Sequence, residues 1–117
     1  YENTTVVIAG DHATMVKNYA PDDDSYERGI YYCFLNPAAV PADRTHSACT
    51  MDLFPTTLAA MGVEIEGDRL GLGTNLFSDQ DTILDEFGKE EVISQLNMKS
   101  DFYDNVLLYG EPAEETD

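Results

Sequence analysis

The feature that most constrains the fold is an apolar run near the start of the sequence. Residues 4–9 (TTVVIA) are β-branched or apolar, without alternation of polar and apolar positions, and Gly10 ends the run. A continuous run of this kind predicts a strand buried on both faces, as in a parallel sheet covered by helices. Because such a central strand needs a neighbour on each side, we expect part of its sheet to lie outside this sequence.

A second strand is predicted at residues 30–35 (IYYCFL), another apolar run of strand length. Residues 13–29 and 36–49 are mostly polar and predict loops, the first with room for one helical turn. Cys33 lies inside the apolar run and is interpreted as a small core residue. The only other cysteine is Cys49, so no disulfide scaffold or zinc knuckle is expected, and pairing of the two thiols stays open.

A helix is predicted at residues 52–62. Asp52 is expected to be its N-cap, Pro55 falls in the first turn where its missing N–H is harmless, and Gly62 is expected to end it. Apolar residues spaced at i, i+4 and i+7 predict one stripe facing the core. That stripe is formed by Phe54, Leu58 and Met61.

The following segment contains three glycines at residues 63–77 and predicts irregular structure. The sequence Ser78-Asp79-Gln80-Asp81 fits a capping box for a helix that continues to Phe87 and ends at Gly88.

A long helix is predicted next, from Glu90 to about Leu108. Its apolar residues can be kept on one side, namely Val92, Ile93, Leu96, Phe102 and Val106. We expect residues 1–110 to form one folded portion and the acidic residues 111–117 to be a frayed tail.

The charge excludes two classes of partner. Acidic residues outnumber basic ones 23 to 6, which gives a formal net charge of −17. Such a chain repels phosphate backbones and anionic lipid surfaces, so we expect no nucleic-acid binding. A solvated surface explains the charge, and attraction of divalent cations is the alternative. No apolar run approaches the ~18 residues of a membrane span and no secretory signal opens the sequence, so the chain itself is expected to be soluble.

The candidate metal ligands are Asp11 and His12, which follow the first strand directly. Ligands in open α/β sheets bind beyond the carboxyl ends of the strands, and carboxylate and imidazole groups both bind zinc or manganese. An Asp that caps a turn beside a solvated His is the alternative. Two protein ligands are too few for a catalytic zinc site. His46 lies in a polar loop and is interpreted as facing solvent rather than acting as a ligand.

Other motifs carry no site. Asp22-Asp23-Asp24 fails as a calcium loop, because Glu27 and Cys33 occupy the positions of the required Gly and Glu. Residues 71–76 (GLGTNL) resemble a dinucleotide fingerprint but lack its third glycine and the strand-to-helix context. No Ser or Thr has the setting of an activated nucleophile.

Taken in order, these features resemble the C-terminal part of a sulfatase-type domain of the alkaline phosphatase superfamily. The features are the strand ending in Gly10-Asp11-His12, the second strand, residues 51–63 (MDLFPTTLAAMGV) and residues 71–78 (GLGTNLFS). They are most similar to the bacterial lipoteichoic acid synthase and phosphoglycerol transferase branch. There, a D-x-x-P-T-x-L-x-x-x-G helix and an F/L-G-T-x-L-F-S loop follow a metal-binding Asp-His pair. The resemblance covers about residues 3–78.

The resemblance implies an α/β fold with a partial alkaline-phosphatase-like sheet of two or three strands, packed by C-terminal helices. It implies that Asp11 and His12 bind a divalent ion (Mn, Zn or Mg), and that the helix and loop motifs are structural. Family members use one or two such ions to position a threonine, or a modified cysteine or serine in sulfatases. That nucleophile takes a phosphoryl or sulfuryl group and passes it to an acceptor.

The sequence also departs from the family. The nucleophile and the first metal carboxylate lie upstream of the Asp-His pair in family members and have no counterpart here, and Ala13 replaces a common glycine. The membrane helices of the branch are absent as well. We therefore expect a fragment, inactive alone, whose partner is the missing N-terminal part of the domain.

The parent enzyme is expected to be anchored in the bacterial membrane, with an extracellular domain that acts on a phospholipid headgroup or a sulfate or phosphate ester. The alternative is a non-catalytic interaction module that pairs an exposed sheet edge with a partner or a second copy.

Overall fold

The computed structural model describes residues 1–13 and 29–110. They form a mixed α/β structure with two small antiparallel sheets and several helices, which confirms the α/β class. Most of the predicted loop 13–29, including the Asp22-Asp23-Asp24 triplet, and the predicted tail 111–117 lie outside the described residues. No helix in the described ranges has the length and apolar character that a bilayer crossing requires.

The first sheet pairs the two predicted strands. Strand β1 (Val6–Ala9) lies antiparallel to β2 (Tyr32–Leu35), with Val7 opposite Phe34 and Ile8 opposite Cys33. The prediction of a parallel arrangement buried on both faces is therefore wrong for these two strands. Residues directly opposite each other in an antiparallel pair share a face, so the sheet has one face through Val7 and Phe34 and another through Ile8 and Cys33.

The two faces of this sheet differ in burial. On the inner face, the rings of Phe34 and Phe77 meet edge to face, with centroids 5.3 Å apart. On the outer face, Ile8 is 57% exposed and the Cys33 side chain is also exposed. The interpretation of Cys33 as a core residue is wrong, because the described residues cover only the inner face of the sheet. Both cysteines are free thiols.

The predicted helix at residues 52–62 is present in two parts. A 3-10 turn at Thr50–Asp52 leads into helix α1 (Leu53–Ala60). The chain then leaves the helix through Gly62, whose φ of +83° is the left-handed conformation expected of a terminating glycine.

The predicted apolar stripe on α1 is wrong. Phe54 is 64% exposed and Met61 is 61% exposed. The buried face is instead made of small or compact residues, which let the helix approach its neighbours closely. These residues are Pro55, Thr56, Ala59 and Ala60.

The segment predicted as irregular contains a minimal hairpin. Strands β3 (Arg69–Leu70) and β4 (Gly73–Thr74) pair antiparallel, and Arg69 lies opposite Thr74. The hairpin turns at Gly71, which has a φ of +59°. Strand β4 is buried and packs against the 3-10 turn and α1.

Helix α2 (Ile83–Phe87) begins later than predicted. The Asp85 backbone N–H donates to the Thr82 hydroxyl at 3.0 Å, and the Thr82 N–H donates to the Asp85 carboxylate at 3.3 Å. These reciprocal bonds form a capping box three residues apart. The prediction that Ser78 and Asp81 form this box is wrong, since Thr82 and Asp85 occupy the two positions.

The chain divides into two compact units, Tyr1–Glu86 and Phe87–Asp117. The first unit contains both sheets, the 3-10 turn, α1 and all of α2 except Phe87. The second unit contains helix α3 (Lys89–Leu96) and a π-helix (Phe102–Leu108).

A single helix from Glu90 to Leu108 was the expectation for this region, and it is wrong. The break falls between α3 and the π-helix, where the Ser100 hydroxyl accepts the Tyr103 backbone N–H at 3.1 Å. A serine in this position favours the start of a new helix over continuation of the old one, because its side chain satisfies a free N–H.

Candidate functional site

The predicted metal ligands, Asp11 and His12, lie directly after β1 and are exposed to solvent. The sheet continues one step past β1, where the Gly10 N–H donates to the Tyr31 carbonyl at 3.0 Å. The chain then turns, and the side chains of Asp11 and His12 are 89% and 57% exposed. The pair is therefore accessible to a ligand from solvent.

Hydrogen bonds set the orientation of the two side chains. The His12 Nδ1 lies 2.9 Å from the Ala13 carbonyl oxygen. Because a carbonyl only accepts, Nδ1 carries the proton and Nε2 of the neutral ring holds a free lone pair. The Asp11 Oδ1 accepts the backbone N–H of His12 at 3.0 Å, which leaves Oδ2 free.

The remaining donor atoms of the two side chains face each other; they form an ion pair when the ring is protonated and two metal-binding atoms when it is neutral. The Asp11 Oδ2 and the His12 Nε2 are 3.5 Å apart. Two ligand atoms that each lie about 2.0–2.1 Å from a tetrahedral zinc ion are separated by roughly 3.3 Å. The backbone carbonyl on Nδ1 is the kind of partner that orients a metal-binding histidine. The donor set therefore fits half of a coordination sphere.

A third protein ligand is not found in the same place. Among residues 1–13 and 29–110, no group of three or more His, Cys, Asp or Glu side chains is arranged to hold a metal ion. Ligands that complete the sphere would have to come from outside these residues.

His46 is not the solvent-facing residue that its polar loop predicts. Its side chain is only 4% exposed. The ring lies between two acceptors, with Nδ1 2.9 Å from the Asp85 Oδ2 and Nε2 3.0 Å from the Ser78 carbonyl oxygen. Both nitrogens are occupied, so His46 has no free donor atom for a metal ion.

Asp85 connects His46 to the start of α2. Its Oδ1 accepts the Ser47 N–H at 2.9 Å, and its Oδ2 accepts from His46 and from the Thr82 N–H. Burial raises the pKa of Asp85, but the hydrogen bonds from His46, Ser47 and Thr82 outweigh it and hold the pKa well below its ordinary value. Asp85 is therefore a carboxylate at neutral pH.

Two arginines surround the same region. Arg44 pairs with Asp81, and its Nη2 also lies 3.8 Å from the Asp85 Oδ2. Arg69 pairs with Glu86 and donates to the Asp81 carbonyl. Both guanidinium groups are thus used in structural contacts around α2.

Asp52 plays a different part from the one predicted. It is fully buried, and no hydrogen bond from its side chain caps α1. Its Oδ1 accepts the Thr74 N–H and its Oδ2 accepts the Cys49 N–H, both at 2.8 Å. The carboxylate therefore joins the start of the helix to β4.

The thiol and phenol near this carboxylate are not activated. Burial raises the pKa of Cys49, and the nearby Asp52 charge raises it further. Burial likewise raises the pKa of Tyr32, with smaller contributions from Cys49 and Asp52. A thiol must lose its proton to act as a nucleophile, so Cys49 is not a candidate.

The His46 cluster was missed, although part of its signal lies in the sequence. Thr82-Ile83-Leu84-Asp85 matches the capping-box pattern as well as the Ser78 tetrapeptide does, and it stands next to the apolar residues of α2. Its partner His46 lies 39 residues earlier. No local pattern links the two.

No protein-family model, curated protein or solved structure matches this chain.

Proposed function

We propose that this chain is the C-terminal part of a metal-dependent sulfatase-like or phosphoglycerol transferase-like domain. In this proposal Asp11 and His12 supply half of a divalent-metal site, for Mn²⁺, Zn²⁺ or Mg²⁺. The observation that carries it is the 3.5 Å separation of the Asp11 Oδ2 and the His12 Nε2 at the end of β1, which suits one ion bound between them when the ring is neutral.

The uncovered sheet face supports a larger parent domain. Ile8, Tyr31 and Leu35 are 57%, 86% and 41% exposed, and Cys33 between them is exposed as well. An apolar face of this kind is normally buried against helices or a partner. The partial alkaline-phosphatase-like sheet remains part of the proposal, with further strands and helices supplied by the missing N-terminal part.

The chemistry follows from what these two side chains can hold. Asp11 and His12 bind and orient the ion through one oxygen and one nitrogen, while the Ala13 carbonyl keeps the imidazole tautomer fixed. A bound divalent ion stabilises the negative charge that develops on a transferred phosphoryl or sulfuryl group. The nucleophile and the remaining ligands come from the rest of the parent, which acts on a phospholipid headgroup or a sulfate or phosphate ester.

The first prediction concerns metal binding by the chain itself. We expect Mn²⁺, titrated in about 0.15 M salt to screen the acidic surface, to broaden the NMR signals of His12 first. Asp11→Asn should raise the Mn²⁺ concentration needed by at least about tenfold, because one of two ligands is lost. Asp43→Asn is the matched control at another exposed aspartate and should change nothing. His46, whose ring is buried, is the internal reference.

Two outcomes would contradict this proposal. Equal broadening of His12 and His46, or equal effects of Asp11→Asn and Asp43→Asn, would show that Mn²⁺ only follows the general negative charge. Robust turnover of a chromogenic phosphodiester or aryl sulfate by these 117 residues would refute the fragment interpretation. We expect no turnover above the buffer rate.

A second candidate function is an interaction module that pairs with a partner or with a second copy of the chain. Within residues 1–13 and 29–110, the outer face of the two-stranded sheet is exposed and no further strand pairs with its edges, which favours this function. The net charge of −17 opposes self-association. We therefore expect light scattering after size exclusion to give a monomer mass, and a stable dimer would favour the module over the fragment.

A further inference from the structure

The His46 ring is held in a way that depends on its protonation. Both ring nitrogens point at oxygen atoms that accept hydrogen bonds, the Asp85 carboxylate at 2.9 Å and the Ser78 carbonyl at 3.0 Å. A neutral imidazole has one N–H and can donate to only one of them. The other nitrogen would then turn a lone pair toward an oxygen. Only the imidazolium, with two N–H groups, satisfies both contacts.

The surrounding charges keep the carboxylate from taking the proton instead. Asp85 already accepts the backbone N–H groups of Ser47 and Thr82, and the Arg44 guanidinium lies 3.8 Å from its Oδ2. Asp81 is the other acidic group here, and it is paired with Arg44. The charged groups at this site are thus Asp85, Arg44 and Asp81. Arg44 and the two backbone N–H groups keep Asp85 ionised, and the charge of that carboxylate, 2.9 Å from Nδ1, favours a protonated ring.

Two contacts join the same two segments of chain. The Ala42 N–H donates to the Phe77 carbonyl at 2.8 Å, and the His46 Nε2 faces the carbonyl of the next residue, Ser78. The segment 42–47 is thereby fastened to residues 77–78 just before α2. If Nε2 loses its proton, its contact with the Ser78 carbonyl becomes repulsive, and only the hydrogen bond from Ala42 to Phe77 is left of these two contacts.

We infer that His46 is a proton-operated clasp, which as an imidazolium holds segment 42–47 against residues 77–78 and opens when Nε2 loses its proton. The Nδ1–H bond to Asp85 persists, because a bond to a carboxylate is the stronger of the two. The clasp is complete while the ring carries two protons and opens when the ring becomes neutral. At the acid end the lowered pKa of Asp85 keeps its carboxylate ionised.

The direct test is ¹⁵N NMR of the imidazole ring of the full chain, from about pH 5.5 to about pH 8.5, on either side of the ordinary imidazole range. The chain has only two histidines, so His12→Gln leaves the His46 signals alone in the spectrum. At the acid end we expect both ring nitrogens of His46 to be protonated. On raising the pH, Nε2 should lose its proton and Nδ1 should keep its own.

Amide exchange gives the second readout. After correction for the intrinsic dependence on pH, the Ala42 amide should exchange about tenfold faster at the alkaline end, the change expected when one hydrogen bond to a charged group is lost. His46→Gln keeps a neutral donor that can face Ser78, and it should remove this pH dependence. His12→Gln should keep it.

Either of two results would overturn the clasp. One is a neutral His46 ring at about pH 5.5, which would mean that the folded chain does not hold the second proton. The other is an Ala42 exchange rate with the same corrected pH dependence in His46→Gln as in the unaltered chain. The ring titration is measured with His46 in place, so it decides the matter even if His46→Gln does not fold.

Discussion

Replacing Gly73 with alanine is expected to cost about 4 kcal/mol of unfolding free energy, through overpacking and the loss of a hydrogen bond to a charged group. A Cβ at this position would lie 2.0 Å from the Met51 carbonyl oxygen and 3.2 Å from the Pro55 Cγ. The first contact is with backbone, which a rotamer change cannot relieve. Strand β4 would have to move away from the 3-10 turn, and the bond from the Thr74 N–H to Asp52 would lengthen.

The measurement is urea unfolding followed by circular dichroism. Gly29→Ala is the matched control, because a Cβ at Gly29 meets nothing within 4 Å and its φ is not left-handed. We expect the control to stay within about 0.5 kcal/mol of the unaltered chain. A loss below about 1 kcal/mol for Gly73→Ala would mean that β4 does not approach the turn as closely as described.

Asp52→Ala is expected to destabilise the first unit by about 4 kcal/mol, because it leaves one buried and one part-buried backbone N–H group without acceptors. Those groups belong to Cys49 and Thr74, each 2.8 Å from a carboxylate oxygen. Asp52→Asn keeps the shape and one acceptor but turns an NH₂ group toward the other N–H. Asp52→Asn should therefore lower the unfolding free energy by about 2–3 kcal/mol.

The same urea experiment measures both Asp52 variants, and Asp43→Asn again serves as the control at an exposed aspartate. The order of the unfolding free energies tests the prediction: Asp52→Ala should lose more stability than Asp52→Asn, and Asp43→Asn should lose none. If asparagine at position 52 were tolerated as well as at position 43, the carboxylate would not join the two segments. A cap on α1 alone would cost only about 1 kcal/mol when removed.

Local patterns in the sequence predicted the first elements well. The positions of the two strands, the helix at residues 52–62 and its end at Gly62 all follow from short-range signals, namely apolar runs, a first-turn proline and a terminating glycine. The strand direction did not follow, because an apolar run reports burial and says nothing about which strand lies alongside. The outer face is exposed in the described residues, although the run alone predicts two buried faces.

The polar contacts could not be predicted from local patterns, because they join residues that are far apart in the chain. The local sequence around Asp52 predicts an N-cap. Its actual role depends on the β3–β4 hairpin, which places the N–H of Thr74, 22 residues later in the chain, beside its carboxylate. The local sequence around His46 predicts a loop, and the partners of its ring, Asp85 and the Ser78 carbonyl, lie 39 and 32 residues later. Of the candidate site, the proximity of Asp11 and His12 is evident from adjacency, whereas the free Nε2 depends on the bond to Ala13.

The composition of the buried face has a thermal consequence. The largest fully buried side chains belong to Thr56, Thr74, Thr82, Asp52 and Pro55. Unfolding a protein takes up heat capacity mainly because apolar surface becomes hydrated, while hydration of polar surface acts in the opposite direction. Hydration of these polar groups offsets part of the increase in heat capacity on unfolding. We therefore expect a smaller heat-capacity change than for a domain of the same size whose fully buried side chains are all apolar.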